Sequence, residues 1–273
     1  MQVVSEKIQI PLEICSFVQK NKLVKAFSIY LYLKCNSSGK VHHSQMSFQH
    51  IADETGLKDS STIKKHLEIL IEMNWVGYNH SSGYYFIRSF DYIRVHYLFK
   101  SRTAVTFRYQ YINKIQEFIT GSLIGAEIKN QMFYKEVVVK RKLRTATQKR
   151  DVANQSNVSD TATTLPYYGL GIEKIAALLG VQKSRASELK LSAKKAGFIW
   201  VKHKYQVLDV LYERDNNLGK MLNENPAFKG KIRFKKARIK RLKCIKVMLQ
   251  GYDEIEPRLT YKRITKFNNL KGS

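Results

Sequence analysis

Two stretches of this 273-residue chain set cations and hydroxyls along one helical face. The first holds Ser61, Thr62, Lys64, Lys65 and His66; the second holds Lys183, Ser184, Arg185, Ser187, Lys190 and Lys194. Hydroxyls and free main-chain amides at a helix start hold phosphate. Lysine or arginine further along reaches phosphates or the acceptor edge of guanine, and a good bidentate base contact is worth roughly 1–3 kcal/mol of discrimination. The chemistry expected of both sets is therefore anion recognition, with double-stranded DNA as the anion whose major groove admits a helix. A smaller set, Lys202, His203 and Lys204, reads as a short basic turn that would track a phosphate backbone.

The elements that must position these residues occur twice. Phe48-Gln-His-Ile-Ala-Asp-Glu-Thr-Gly-Leu57 and Ile172-Glu-Lys-Ile-Ala-Ala-Leu-Leu-Gly-Val181 share the pattern apolar-x-x-Ile-Ala-x-x-x-Gly-apolar. In the first copy Ser47 is placed to cap a helix over Phe48–Thr55, and Gly56 supplies the left-handed residue for a sharp turn. Asp59, Ser60 or Ser61 starts the next helix, whose inward face is Ile63, Leu67 and Leu70. In the second copy the helix is Ile172–Leu179, the turn is Gly180, Ser184 is the expected cap, and Ala186, Leu189 and Ala193 face inward. A strand signal follows each: Trp75–Tyr78 with Tyr84–Phe90 around 79–83, and Phe198–Val201 with Tyr205–Leu208 around 202–204. Gly56 to Trp75 is 19 residues and Gly180 to Phe198 is 18, so spacing and residue type agree on one repeated unit.

Outside the repeats, Lys7–Ile14 alternates as a strand, demoted towards a sheet edge by Pro11. Leu23–Lys34 reads as a helix with Leu23, Phe27, Tyr30 and Leu31 on one face. Residues 105–135 read as helical, divided by Gly121 and Gly125, and either complete the first domain's core or form a homodimer contact. Lys129–Arg150 has eight basic residues and one acid, and Asp151–Thr164 has the composition of a linker that lets flanking domains reorient. Lys229–Lys246 has ten basic residues and no acid, with a helical stripe at Ile239, Leu242, Ile245 and Leu249; such a run would lie along phosphates. The domains expected are 1–100, a helical and basic linker over 101–164, 165–212, and a basic C-terminal region over 213–273.

Composition narrows the partner. The chain has 48 Lys and Arg against 22 Asp and Glu, for a net charge of +26. Residues 1–100 contribute 12 basic and 8 acidic residues, so nearly all the excess lies in the rest. Such an imbalance favours nucleic acid over an anionic membrane surface. Apolar residues at 44% and aromatics at 11% suffice for packed cores. The longest apolar run, Ala26–Leu33, is far short of a membrane span, and Glu6, Lys7 and Glu13 interrupt any signal peptide. Cys15, Cys35 and Cys244 are scattered and odd in number, which points to a reducing, cytoplasmic setting or a nucleus. His42, His43, His50 and Cys35 lack zinc spacing, no GxxxxGK[ST] exists, and no His-hydrophobic-His pair is present. No metal, no cofactor and no enzymatic activity are expected.

Ile51-Ala-x-x-x-Gly56 followed by Ser61-Thr-Ile-x-x-x-Leu67, and Ile175-Ala-x-x-x-Gly180 with Ser184, resemble the winged helix-turn-helix of bacterial and phage DNA-binding proteins. Two such units in one basic chain resemble the replication initiators of theta-type plasmids and phages. The resemblance implies a mainly α fold with small β-hairpin wings, of α+β class, in two winged-helix domains. It also implies that the second domain reads repeated origin sequences while the first supports dimerisation and a further DNA contact, beside the replication machinery. A transcriptional regulator, and a winged-helix protein-interaction factor such as a helicase loader, are the rival readings.

Overall fold

The computed structural model describes residues 5–150, 168–212, 224, 232–239 and 242–264. Side chains of 135–150, and of several strand residues including Lys204, lie outside that description, as do the expected linker 151–164 and most of 213–231. The chain is mixed α and β with small sheets. It divides into two compact units, one of Met1–Lys140, Ile172–Trp200 and Pro257–Ser273, the other of Arg141–Gly171 and Val201–Glu256. The segment expected as one domain, 165–212, is thus shared between the two.

The chain opens with β1 (Lys7–Pro11), which ends where Pro11 begins the helix α1 (Leu12–Lys20). The strand signal thus stops three residues short of Ile14, because proline's fixed φ serves equally to start a helix. Helix α2 (Val24–Asn36) is buried on all sides over Ala26–Leu33, a central helix rather than a one-faced one. Then come β2 (Lys40–His42), a 3-10 turn at His43–Gln45, α3 (Phe48–Thr55) and α4 (Ser60–Glu72). The strands β3 (Val76–Asn79) and β4 (Tyr84–Ile87) form an antiparallel hairpin, with β2 on the other side of β4. Asn79 shapes its loop by accepting from the amides of Ser81 and Ser82 at 2.9 and 3.2 Å. Trp75 anchors the core beneath, its ring 5.5 Å from Tyr30 and 6.0 Å from Phe27.

Helix α5 (Phe90–His96) leads to β5 (Thr103–Arg108), a 3-10 stretch at Tyr109–Lys114 and the long α6 (Ile115–Arg150). The helix expected from residue 105 therefore starts ten residues later. Val105 and Phe107 alternate with Thr106, and strand neighbours on both sides decide for β: β5 is the centre of a sheet with β1 on one edge. Pro11 on that edge needs no ladder donor. Gly121 and Gly125 do not divide α6; they thin one face of it.

After the short β6 (Tyr168–Gly169) come α7 (Ile172–Leu179) and α8 (Lys183–Lys195), which belong to the first unit. Phe198 meets Tyr111 edge-on at 4.9 Å and Phe118 at 5.8 Å, and Lys174 pairs with Glu127 at 2.6 Å. Strand β7 (Ile199–Tyr212) is followed by β8 (Ile232–Ile239), β9 (Leu242–Pro257) and β10 (Tyr261–Arg263). In the second unit β9 is flanked by β6 and β7 and also pairs with β8. The strand β10 adds to the far edge of β5 in the first unit, and Tyr261 donates to the Ser122 carbonyl at 2.8 Å. No helix among the described residues is long and apolar enough to cross a membrane.

Candidate nucleic-acid interface

The two repeated segments adopt the same hydrogen-bonded geometry. In the first, Gly56 ends α3 at φ 68°, its amide donating to Asp53 and that of Leu57 to Ala52 at 2.9 Å. In the second, Gly180 ends α7 at φ 65°, its amide donating to Ala177 and that of Val181 to Ala176 at 3.1 Å. These are the same offsets from the glycine. The correspondence continues at the far end of the next helix. Asn74 (φ 56°) and Gly197 (φ 80°) make the left-handed exit. The amides of Trp75 and Phe198 then bond Leu70 and Ala193 at 2.9 and 3.0 Å. Both aromatics are buried and lead directly into a strand.

The helix starts differ. Ser47 caps α3 as expected, accepting from His50 N at 3.3 Å. Asp59 caps α4, accepting from Thr62 N at 2.8 Å and from the Ser61 hydroxyl at 2.8 Å. The Thr62 amide, followed by the Ser61 hydroxyl, holds the Asp59 carboxyl down to about 2. Helix α8 begins before the residue expected to cap it. Its N-cap is Gln182, without a side-chain bond, and Ser184 lies exposed in the first turn. Leu189 and Ala193 set the buried face, and that phase places Ser184 inside the helix rather than before it.

On α4, Ser61, Lys64 and Lys65 are exposed and Thr62 is half-buried, with the Lys64 ammonium 5.8 Å from the Phe48 ring. His66 is different. Its Nδ1 is buried without a partner, and burial, then the charges of Lys25 and Lys65, push its pKa below the ordinary histidine value. The imidazole is thus held neutral and adds no charge to the face. On α8, Lys183, Ser184, Arg185 and Ser187 are exposed, while Lys190 and Lys194 are half-buried. Lys183 pairs with Glu173 at 2.5 Å and Arg185 with Glu188 at 2.7 Å, so two of its cations are balanced locally. Exposed pairs of this kind are worth about 0–1 kcal/mol and exchange readily for a phosphate. Sequence reasoning missed Leu191, 49% exposed on the same helix, and Lys195 beside it. The signal was available: both continue the outward phase of Ser184, Ser187 and Glu188.

The turn expected at Lys202, His203 and Lys204 does not exist, because β7 runs unbroken through all three. A tight hairpin needs a residue that accepts positive φ, and this stretch has no Gly, Asn or Asp. Lys202 and His203 are exposed strand residues, and His203 Nδ1 lies 2.6 Å from the buried Asp253 carboxylate. The helical stripe at Ile239, Leu242, Ile245 and Leu249 is also strand. There β8 and β9 pair antiparallel from Ile232↔Leu249 to Ile239↔Leu242. Ile245, Val247 and Leu249 alternate as well as they repeat, and cross-strand pairing decides between the two periods. Residues 232–239 and 242–246 of the basic run are therefore paired strands of the second unit's sheet. Phe234, Lys235 and Lys236 are exposed on it, and Lys235 stands opposite Lys246 in register.

Among the described residues no group of three or more His, Cys, Asp or Glu is placed to hold a metal ion. Cys15 and Cys35 are buried free thiols, raised by burial to about 12 and about 11, and Cys244 is buried too. Compared with known proteins, the chain matches no family model, no curated protein and no solved structure.

Proposed function

We propose that this chain binds a specific site in double-stranded DNA through two helix-turn-helix units, the first of them followed by a β-hairpin wing, without enzymatic activity. In this reading α3–α4 and α7–α8 are two helix-turn-helix units, and α4 and α8 enter the major groove. The observation that carries it is the matched geometry of the two turns, down to the amide bonds around Gly56 and Gly180. A helix held this way projects its outer face clear of its own domain, as groove entry demands. That outer face is hydroxyl-bearing and cationic in both copies, through Ser61, Lys64 and Lys65, and through Ser184, Arg185 and Ser187. The net charge of +26 supplies the attraction for the phosphate backbone. The paired strands β8 and β9 add exposed lysines at Lys235 and Lys236.

The process we propose is replication initiation on a plasmid, phage or other mobile element, acting beside the replication machinery in the cytoplasm. This rests on the resemblance of the two motifs and on two units in one basic chain. Genome-wide footprinting of the tagged protein tests it. Recovery of directly repeated sites beside the gene is the expected result. A single palindrome over its own promoter would replace initiation by transcriptional regulation, and no sequence preference would end the specific-reader reading.

A further inference from the structure

Three lysines crowd the corner between α1 and α2. Lys20, Lys22 and Lys25 are all exposed, and none has an acidic partner among the described residues. Lys174, Lys183 and Arg185, by contrast, each meet a glutamate. The corner is tight: Lys22 itself adopts φ 58°, a conformation that favours glycine. Like charges gathered without counter-charge repel one another, and a polyanion relieves that repulsion.

The corner lies against the second helix pair, within the first compact unit. A Cβ built at Gly180 would lie 3.6 Å from Lys20 Cγ. All three lysines line a groove of about 500 Å³ together with Gly180, Arg185 and Leu189. On its other side the corner reaches α4, where the charge of Lys25 acts on His66. Helix α2, which carries Lys25, packs on α4, so the lysine corner runs from the turn before α8 towards α4.

We infer that the Lys20–Lys22–Lys25 corner is a phosphate-binding element that holds the backbone of duplex DNA between α4 and the start of α8. This rests on the DNA-binding reading above. A line of phosphates suits three exposed ammoniums spread round a corner. Lysine ammoniums on flexible stems meet phosphates as point charges, so the corner contributes affinity and not sequence preference.

The test uses the full chain with Lys20→Gln, Lys22→Gln and Lys25→Gln combined, and a random-sequence DNA duplex as probe. Fluorescence anisotropy at a series of salt concentrations gives the slope of log K against log salt. The expected change is a slope shallower by up to about 2.7, at ~0.9 for each phosphate no longer neutralised. The corresponding triple arginine variant keeps the original slope. An unchanged slope in the folded glutamine variant overturns the inference while leaving DNA binding intact. A wild-type chain that binds no duplex overturns both, and the wild-type measurement alone tells the two failures apart.

Discussion

Phe198 packs so closely on Gly121 that a methyl group added to the glycine would come within 2.6 Å of Phe198 Cβ. That approach fastens the exit of α8 to α6. The same face of α6 receives Tyr261 at Gly125, where an added Cβ would collide with the tyrosine hydroxyl.

Gly121→Ala should therefore destabilise the first unit. Overpacking costs about 1–3 kcal/mol, and the gain in helix propensity offsets about 1 kcal/mol. A net loss of up to about 2 kcal/mol in chemical denaturation is the expected outcome. Equal or higher stability would show that α6 and the Phe198 segment part without cost.

Arg185→Ala should reduce binding to the preferred site by about 1–3 kcal/mol and binding to a scrambled duplex much less. Glu188→Gln should do the reverse at the same residue, since it frees Arg185 from its 2.7 Å partner and tightens binding to both duplexes. Equilibrium titration of the two variants against the two duplexes checks both. Parallel losses on both duplexes for Arg185→Ala would reduce it to a phosphate contact.

Acid should loosen α4 in a defined window. The Asp59 carboxyl is depressed from 3.8 to about 2, so its stabilising contribution is complete above about pH 4 and is lost as pH falls towards 2. Hydrogen exchange at the Thr62 amide should accelerate across that window. Asp59→Asn, which caps without titrating, should flatten the response; an unaltered pH profile in that variant would mean another group controls it.

Lys235 faces Lys246 across the β8–β9 pair, a like-charge pairing that neighbouring strands do not favour. Lys235→Glu should raise stability by about 0.2–1 kcal/mol through the new cross-strand pair. The same change should weaken binding to duplex DNA and make it less salt-dependent. Thermal denaturation and anisotropy on one preparation read both effects. Loss of stability together with loss of binding would point to a structural role for Lys235 instead.

Local rules made much of the chain legible. Gly56 and Gly180 at fixed offsets from Ile51 and Ile175 mark left-handed turns because few other residues accept that conformation, and both turns are present. Ser47 as a cap and the hairpin around 79–83 follow from equally local chemistry. Pro11 likewise restricts its strand to an edge. Where a rule allows two answers, the sequence stops. Residues 242–249 satisfy a period near 3.6 and a period of two, and cross-strand pairing with β8 selects the strand. Residues 105–108 join a sheet for the same reason.

By itself, then, the sequence determined the repeated unit, its glycine turns, its inward faces and the excess of positive charge, since each depends on a residue's own conformational or ionic character. Only the tertiary structure decided that α7 and α8 belong with the N-terminal unit, that β10 returns to β5, and that Lys20, Lys22 and Lys25 border Gly180. Those relations join residues far apart along the chain. They depend on which surfaces fit, Phe198 on Gly121 above all, and no spacing along the chain encodes such a fit.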